Sequence, residues 1–182
     1  MSGDEKIVTV FGSGRLSVDD PQYVVARALG SELAARGFRV CSGGYAGVME
    51  AVSRGAKEAG GRTLGVTAEF FRSHANQWID EEIRVKTWQE RLFELIARGH
   101  GYVACPGGTG TLVELAVAWE MLNKGAMARR PLVALGDFWR PVVDLVGEVE
   151  FGRARERGAG DAPLVHVAAS PRDAAAYLAG RL

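Results

Sequence analysis

Short apolar runs rich in β-branched residues alternate with longer stretches whose apolar positions recur at helical spacing. Lys6 to Phe11 (KIVTVF) predicts a buried first strand, closed by a tight turn at Gly12-Ser13-Gly14. Asp19 or Asp20 can cap a helix with Pro21 in its first turn, and Gly37 stops it after Tyr23 to Arg36. Phe38 to Cys41 follows as a second strand, then Ser42-Gly43-Gly44-Tyr45-Ala46-Gly47 and a helix from about Val48 to Ala59. Thr63 to Thr67 reads as a third strand. Ala68 to Asp80 lacks a period and reads as a surface loop rather than a flap. Glu82 to Lys86 resembles a fourth strand, after which Trp88, Leu92, Leu95 and Ile96 mark an inward helical stripe with Arg91 at its border. There Arg91 either reaches a cleft or pairs on the surface with Glu94.

Gly101 to Ala104 is the next apolar run, Pro131 to Gly136 another, and Leu164 to Val167 the last. Between them lie a helix ending near Asn123, a helix from Phe138 to Val149 and a charged loop from Arg153 to Asp161, with a closing helix from Pro171 to Ala179. Strand and helix alternating in this way predict an α/β fold, a single-domain, Rossmann-like, doubly wound parallel sheet with helices on both faces, spanning residues 1–182. The helix before Asn123 has almost no polar face: Leu112, Val113, Leu115, Ala116, Val117, Ala118, Trp119, Met121 and Leu122. It predicts burial on both sides, either inside the chain or against the partner subunit of a homodimer.

The chemistry concentrates where strands run into glycines. Cys105-Pro106-Gly107-Gly108-Thr109-Gly110-Thr111 joins a buried strand to that apolar helix, and the free N–H groups and positive dipole end of a helix start favour a phosphate. Gly107, Gly108, Thr109, Gly110 and Thr111 are therefore candidate phosphate-binding residues. Gly43 and Gly44 form a second candidate loop. Gly12, Ser13 and Gly14 divide evenly between a ligand contact and an ordinary turn. Thr111 and Glu114 also match a capping box, in which the threonine caps the helix and the glutamate reaches back.

Composition narrows the field. Lys plus Arg and Asp plus Glu both number 22, which leaves no basic surface for nucleic acid or an anionic membrane. No signal-peptide pattern at Met1 to Lys6 and no bilayer-length apolar run make a cytoplasmic protein the expectation. Cys41 and Cys105 read as small buried residues, and His74, His100 and His166 lack ligand spacing, so no metal is expected. The first turn lacks the third glycine of a dinucleotide fingerprint, and Lys6, Lys57, Lys86 and Lys124 lie outside the glycine loops, so neither NAD nor pyridoxal phosphate is indicated. No cofactor is expected.

Pro106-Gly107-Gly108-Thr109-Gly110-Thr111 followed by Glu114 resembles the PGGxGTxxE signature of the Lonely Guy family of nucleotide phosphoribohydrolases, also labelled lysine decarboxylase-like. Gln89-Glu90-Arg91 lies where that family has His-Glu-Arg-Lys, and Gly43-Gly44 with Gly47-Val48-Met49 resembles its second glycine loop. The resemblance, from about Ile7 to Asn123, implies a nucleoside monophosphate bound at a dimeric site and cleavage of base from ribose 5-phosphate by the counterparts of Arg91 and Glu114. Gln89 for histidine and Leu92 for lysine reduce the positive charge there. The motif also resembles the molybdenum-cofactor carrier proteins, which implies the alternative of a non-catalytic carrier of a nucleotide or phosphorylated pterin.

Overall fold

The computed structural model describes residues 5–156 and 163–182. Seven strands form one parallel sheet: β1 (Ile7–Phe11), β2 (Arg39–Ser42), β3 (Thr63–Ala68), β4 (Glu81–Val85), β5 (Gly101–Ala104), β6 (Leu132–Leu135) and β7 (Val165–Ala168), in the order β4-β3-β2-β1-β5-β6-β7. The order reverses at β1, which pairs with β2 on one side and, through Val8 opposite Gly101, with β5 on the other. Ligands of open α/β sheets sit at such a reversal, over the carboxyl ends of the strands.

Alternating side chains assign the helices to two faces. Val8, Val10, Val40, Val103 and Val133 are buried with α1 (Pro21–Ala34), α2 (Val48–Glu58) and α6 (Pro171–Ala179). Phe11, Leu64, Val66, Tyr102 and Ala104 face the other way, under α3 (Trp88–Arg98), α4 (Thr109–Asn123) and α5 (Arg140–Glu156). Local signals set the helix ends: Asp20 Oδ1 accepts from Gln22 N at 2.8 Å at the head of α1, and Gly37 beyond its end has φ +79°. β3 reaches β4 through a 3-10 turn (Glu69–Phe71) and an irregular stretch. Asn76 pins that stretch, its Nδ2 donating to Gly44 O at 3.0 Å and Tyr45 O at 2.8 Å.

Two expectations change. The helix expected from Phe138 to Val149 begins at Arg140 and runs on to Glu156, because its two glycines, Gly147 and Gly152, each weaken a helix by only about 1 kcal/mol and do not end it. Of the loop expected from Arg153 to Asp161, residues 153–156 are thus helical and the rest lies outside the described residues. Among the described residues α4 is covered over most of its apolar surface: Thr111, Leu115, Ala118, Trp119 and Leu122 are buried and Val113, Val117 and Met121 half-buried against the same core, whereas Leu112 is 37% exposed and Ala116 is exposed. The second change, at the head of α4, belongs to the site. Among the described residues, no helix is long and apolar enough to cross a membrane.

Candidate functional site

The loops after β1, β2 and β5 meet at the reversal of strand order. Val48 N donates to Ser13 O at 2.8 Å and Ser13 N to Pro106 O at 3.4 Å, so the three glycine loops are tied to one another. A Cβ on Gly12 would lie 2.5 Å from Val48, and one on Gly47, which has φ +68°, would lie 2.3 Å from Ser13 O. These glycines answer to packing between the first two loops. Gly108 and Gly110 differ: a Cβ there would meet nothing within 4 Å, and neither has a positive φ. No steric demand of the chain itself excludes a side chain at these two positions. Their bare amides open the start of α4.

Cys105 N donates to Phe11 O at 2.9 Å, and Trp139 Nε1 donates to Cys105 O at 2.9 Å, which anchors the motif loop from both sides. Burial pushes the thiols of Cys41 and Cys105 up to about 12, so both remain protonated and inert.

Thr111 and Glu114 do not form a capping box. α4 begins at Thr109 with Gly108 as its cap residue and no side-chain cap bond, which places Thr111 inside the first turn, 4% exposed. The capping box is at the head of α3: Thr87 Oγ1 accepts from Glu90 N at 3.1 Å, and Glu90 Oε2 accepts from Thr87 N at 3.1 Å. This box fixes the first turn of α3, and Arg91 follows it directly.

Arg91 turns inward rather than pairing with Glu94, whose Oε1 accepts from Arg98 Nε at 2.7 Å. It is 7% exposed. Its Nε donates to Val66 O at 2.8 Å and its Nη2 to Gly43 O at 3.0 Å, while Cζ lies 5.3 Å from the Tyr45 ring and 5.4 Å from the Phe71 ring. A Cβ on Gly43 would fall 1.6 Å from Nη2, so that glycine is the notch in which the guanidinium sits. Nη1 faces Glu114 Oε1 at 3.9 Å.

At that separation the ion pair is loose, and the pKa directions reflect it. Burial pushes the Glu114 carboxyl up to about 7, and the attraction of Arg91 only partly opposes this. Burial also lowers Arg91, with Glu114 acting against the shift; the guanidinium stays charged, supported by two carbonyls and two ring faces. The result is a permanently cationic arginine beside a carboxyl that changes state near neutrality.

A model of the SLOG cluster4 family matches residues 5–139. The chain belongs to the SLOG cluster4 family. Over 98 residues it is 38% identical to a cytokinin riboside 5'-monophosphate phosphoribohydrolase of Mycobacterium marinum, with 52% of each chain aligned. The chain thus spans about half the length of that relative. It is 30% identical over 149 residues to a pyrimidine/purine nucleotide 5'-monophosphate nucleosidase of Escherichia coli K12, covering 73% of this chain and 33% of that one. The family match and the mycobacterial relative support the resemblance to the Lonely Guy family. Among solved structures, the molybdenum cofactor carrier protein of Chlamydomonas reinhardtii superposes with a TM-score of 0.75 at 29% identity, over 96% of both chains.

Placed on this SLOG cluster4 fold, Gly12 to Gly14, Gly43, Gly44, Gly107 to Thr111, Arg91 and Glu114 all lie on the glycine loops or on the two helices facing them. Gln89 is exposed, and Leu92, 5% exposed, lies in the core beneath α3. Tyr45, Asn76 and Trp139 brace the site without any signal in the sequence.

Proposed function

We propose that the chain is a nucleoside 5'-monophosphate phosphoribohydrolase, which cleaves the N-glycosidic bond to give free base and ribose 5-phosphate. The observation that carries this reading is the Glu114 carboxyl, raised to about 7 and held 3.9 Å from Arg91, one turn after the open amides of Gly108 and Gly110. The names of the mycobacterial and Escherichia coli relatives support the same reading.

In this reading the amides of Gly107 to Thr111 hold the 5'-phosphate at the head of α4, with the Thr109 and Thr111 hydroxyls as further donors, and so fix the sugar. Gly12, Ser13, Gly14, Gly43 and Gly44 let backbone approach the ribose and phosphate. As the C1'–N bond breaks, its electron pair leaves with the base, and positive charge develops on the ribose. The ionised Glu114 stabilises that charge and orients the attacking water. The water oxygen bonds to C1', and its displaced proton passes to the base. Arg91 sets the position of Glu114 and offers Nη1, the nitrogen not engaged by a backbone carbonyl, to the departing base.

The working unit is a homodimer of single nucleotide-binding domains in the cytoplasm. The exposed apolar residues of α4, Leu112 and Ala116, supply the partner surface. A second reading, a non-catalytic carrier of a phosphorylated pterin, draws support from the near full-length similarity to the molybdenum cofactor carrier protein. The experiment that separates the two is release of free base from a panel of nucleoside 5'-monophosphates, with binding measured in parallel by calorimetry. Cleavage supports the hydrolase. Tight binding of monophosphates without any release of base refutes it in favour of the carrier.

A further inference from the structure

A cavity of about 320 Å³ lies apart from the Arg91–Glu114 pair. Val25 and Ala26 of α1, Val48 of α2, Cys105, Pro106 and Leu135 form half of its lining, the start of α6 flanks it, and its mouth is open to solvent. Ala26, Val48, Cys105 and Leu135 belong to the core layer of α1, α2 and α6, whereas Arg91 and Glu114 project from α3 and α4 on the opposite face of the sheet. Neither member of that pair lines the cavity, nor does any residue from Gly107 to Thr111.

Its chemistry is the reverse of the phosphate loop's. None of the lining residues carries a charge. Two helix N-termini come close to it, but both are already capped. The Asp20 carboxylate accepts from Gln22 N at 2.8 Å at the head of α1. At the head of α6, Ser170 Oγ accepts from Asp173 N at 3.2 Å and the Asp173 carboxylate accepts from Ala169 N at 2.9 Å. Occupied amides and two nearby carboxylates disfavour an anion there. An apolar wall favours a ligand that removes hydrocarbon surface from water. The volume is about twice the ~150 Å³ that accommodates a benzene ring, which suits two fused rings or a branched chain.

We propose that this cavity is a second small-molecule site, which takes an uncharged bicyclic or branched apolar group and seats it against the back of Pro106. Pro106 is the shared wall. Its carbonyl accepts from Ser13 N at 3.4 Å on the nucleotide side, so the two ligands are neighbours that do not overlap.

The test uses indole as probe, with indole-3-acetate as its charged analogue and AMP as the monophosphate. Melting temperature is followed against indole concentration for the wild type, for Ala169→Phe and for Val25→Trp; both altered residues are exposed at the rim and outside the proposed catalytic machinery. A saturable rise is expected for the wild type, with an apparent Kd about ten-fold weaker in at least one folded rim variant, weaker binding of indole-3-acetate, and little change when AMP is present. No saturable shift in the wild type, or unchanged affinity in both variants, overturns the proposal. Competition by AMP also overturns it, because the cavity is then part of the nucleotide site. AMP binding to the wild type, measured separately by calorimetry, reports on the proposed function independently of this result.

Discussion

Replacing Glu114 by Gln tests the electrostatics and the chemistry together. The carboxyl is 15% exposed, and burial raises it from 4.5 to about 7. The folded protein therefore holds a proton that the unfolded chain releases at about 4.5, and stability contributed by this group is lost as pH rises from about 4.5 to about 7. At about 1.4 kcal/mol per pKa unit, ionising Glu114 costs the fold roughly 3 kcal/mol above pH 7. Glutamine keeps the shape and never ionises, so Glu114→Gln is expected to match the wild type near pH 4.5 and to exceed it at pH 8. The gain falls short of that figure because Arg91 loses its counter-charge, although its bonds to Val66 O and Gly43 O remain. Activity runs the other way. Wild-type kcat is expected to rise with pH through about 7 as the carboxylate forms, and the variant to be roughly 10²–10³ slower with no such rise. Denaturant titrations from pH 4.5 to 8.5 and base-release kinetics on the same samples check both halves. A variant no more stable than wild type at pH 8 refutes the desolvation reasoning, and one that cleaves at the wild-type rate refutes the assigned role.

Gly110→Ala fills open space inside the first turn of α4, so it is expected to raise stability by about 0.5–1 kcal/mol and yet weaken calorimetric binding of a nucleoside monophosphate; unchanged binding removes the phosphate from this loop. Gly43→Ala drives a methyl group into Arg91 Nη2, with an expected loss of about 1–3 kcal/mol in denaturant melts and a larger fractional loss of activity; wild-type activity refutes the notch. Ala116→Glu lies on the exposed apolar side of α4 and is expected to convert a dimer to folded monomers in sedimentation; a wild-type protein already monomeric at micromolar concentration removes the dimer.

The inner strands are legible in the sequence because they are short β-branched or apolar runs, and a parallel sheet buries both faces of such runs; the edge strand β4, Glu81-Glu82-Ile83-Arg84-Val85, shows instead the polar alternation of a strand with no buried residue. The site is legible in part. Thr87-x-x-Glu90 and Thr111-x-x-Glu114 present the same spacing, yet only the first caps a helix. The difference lies in where each helix begins: α4 starts at Thr109, straight after Gly108, and this carries Thr111 into the first turn and leaves Glu114 to face Arg91. The bracing by Tyr45, Asn76 and Trp139 depends on partners 23 to 34 positions away, and no local period reports such contacts. The apolar pattern of α4 is legible, although among the described residues Leu112 and Ala116 stay exposed.

The pairing of β1 with β5 joins residues more than 90 positions apart, Val8 with Gly101, whereas β1, β2 and β3 pair with close neighbours in the chain. Closing so long a loop is slow, so the two halves of the sheet are expected to gain internal order before they join. The glycine loops after β1 and β5 stand on opposite sides of that seam and meet only once it is closed. A molecule bound across them holds together contacts that form late. It should accordingly lengthen the lifetime of the native state by slowing unfolding, and leave the refolding rate nearly unchanged.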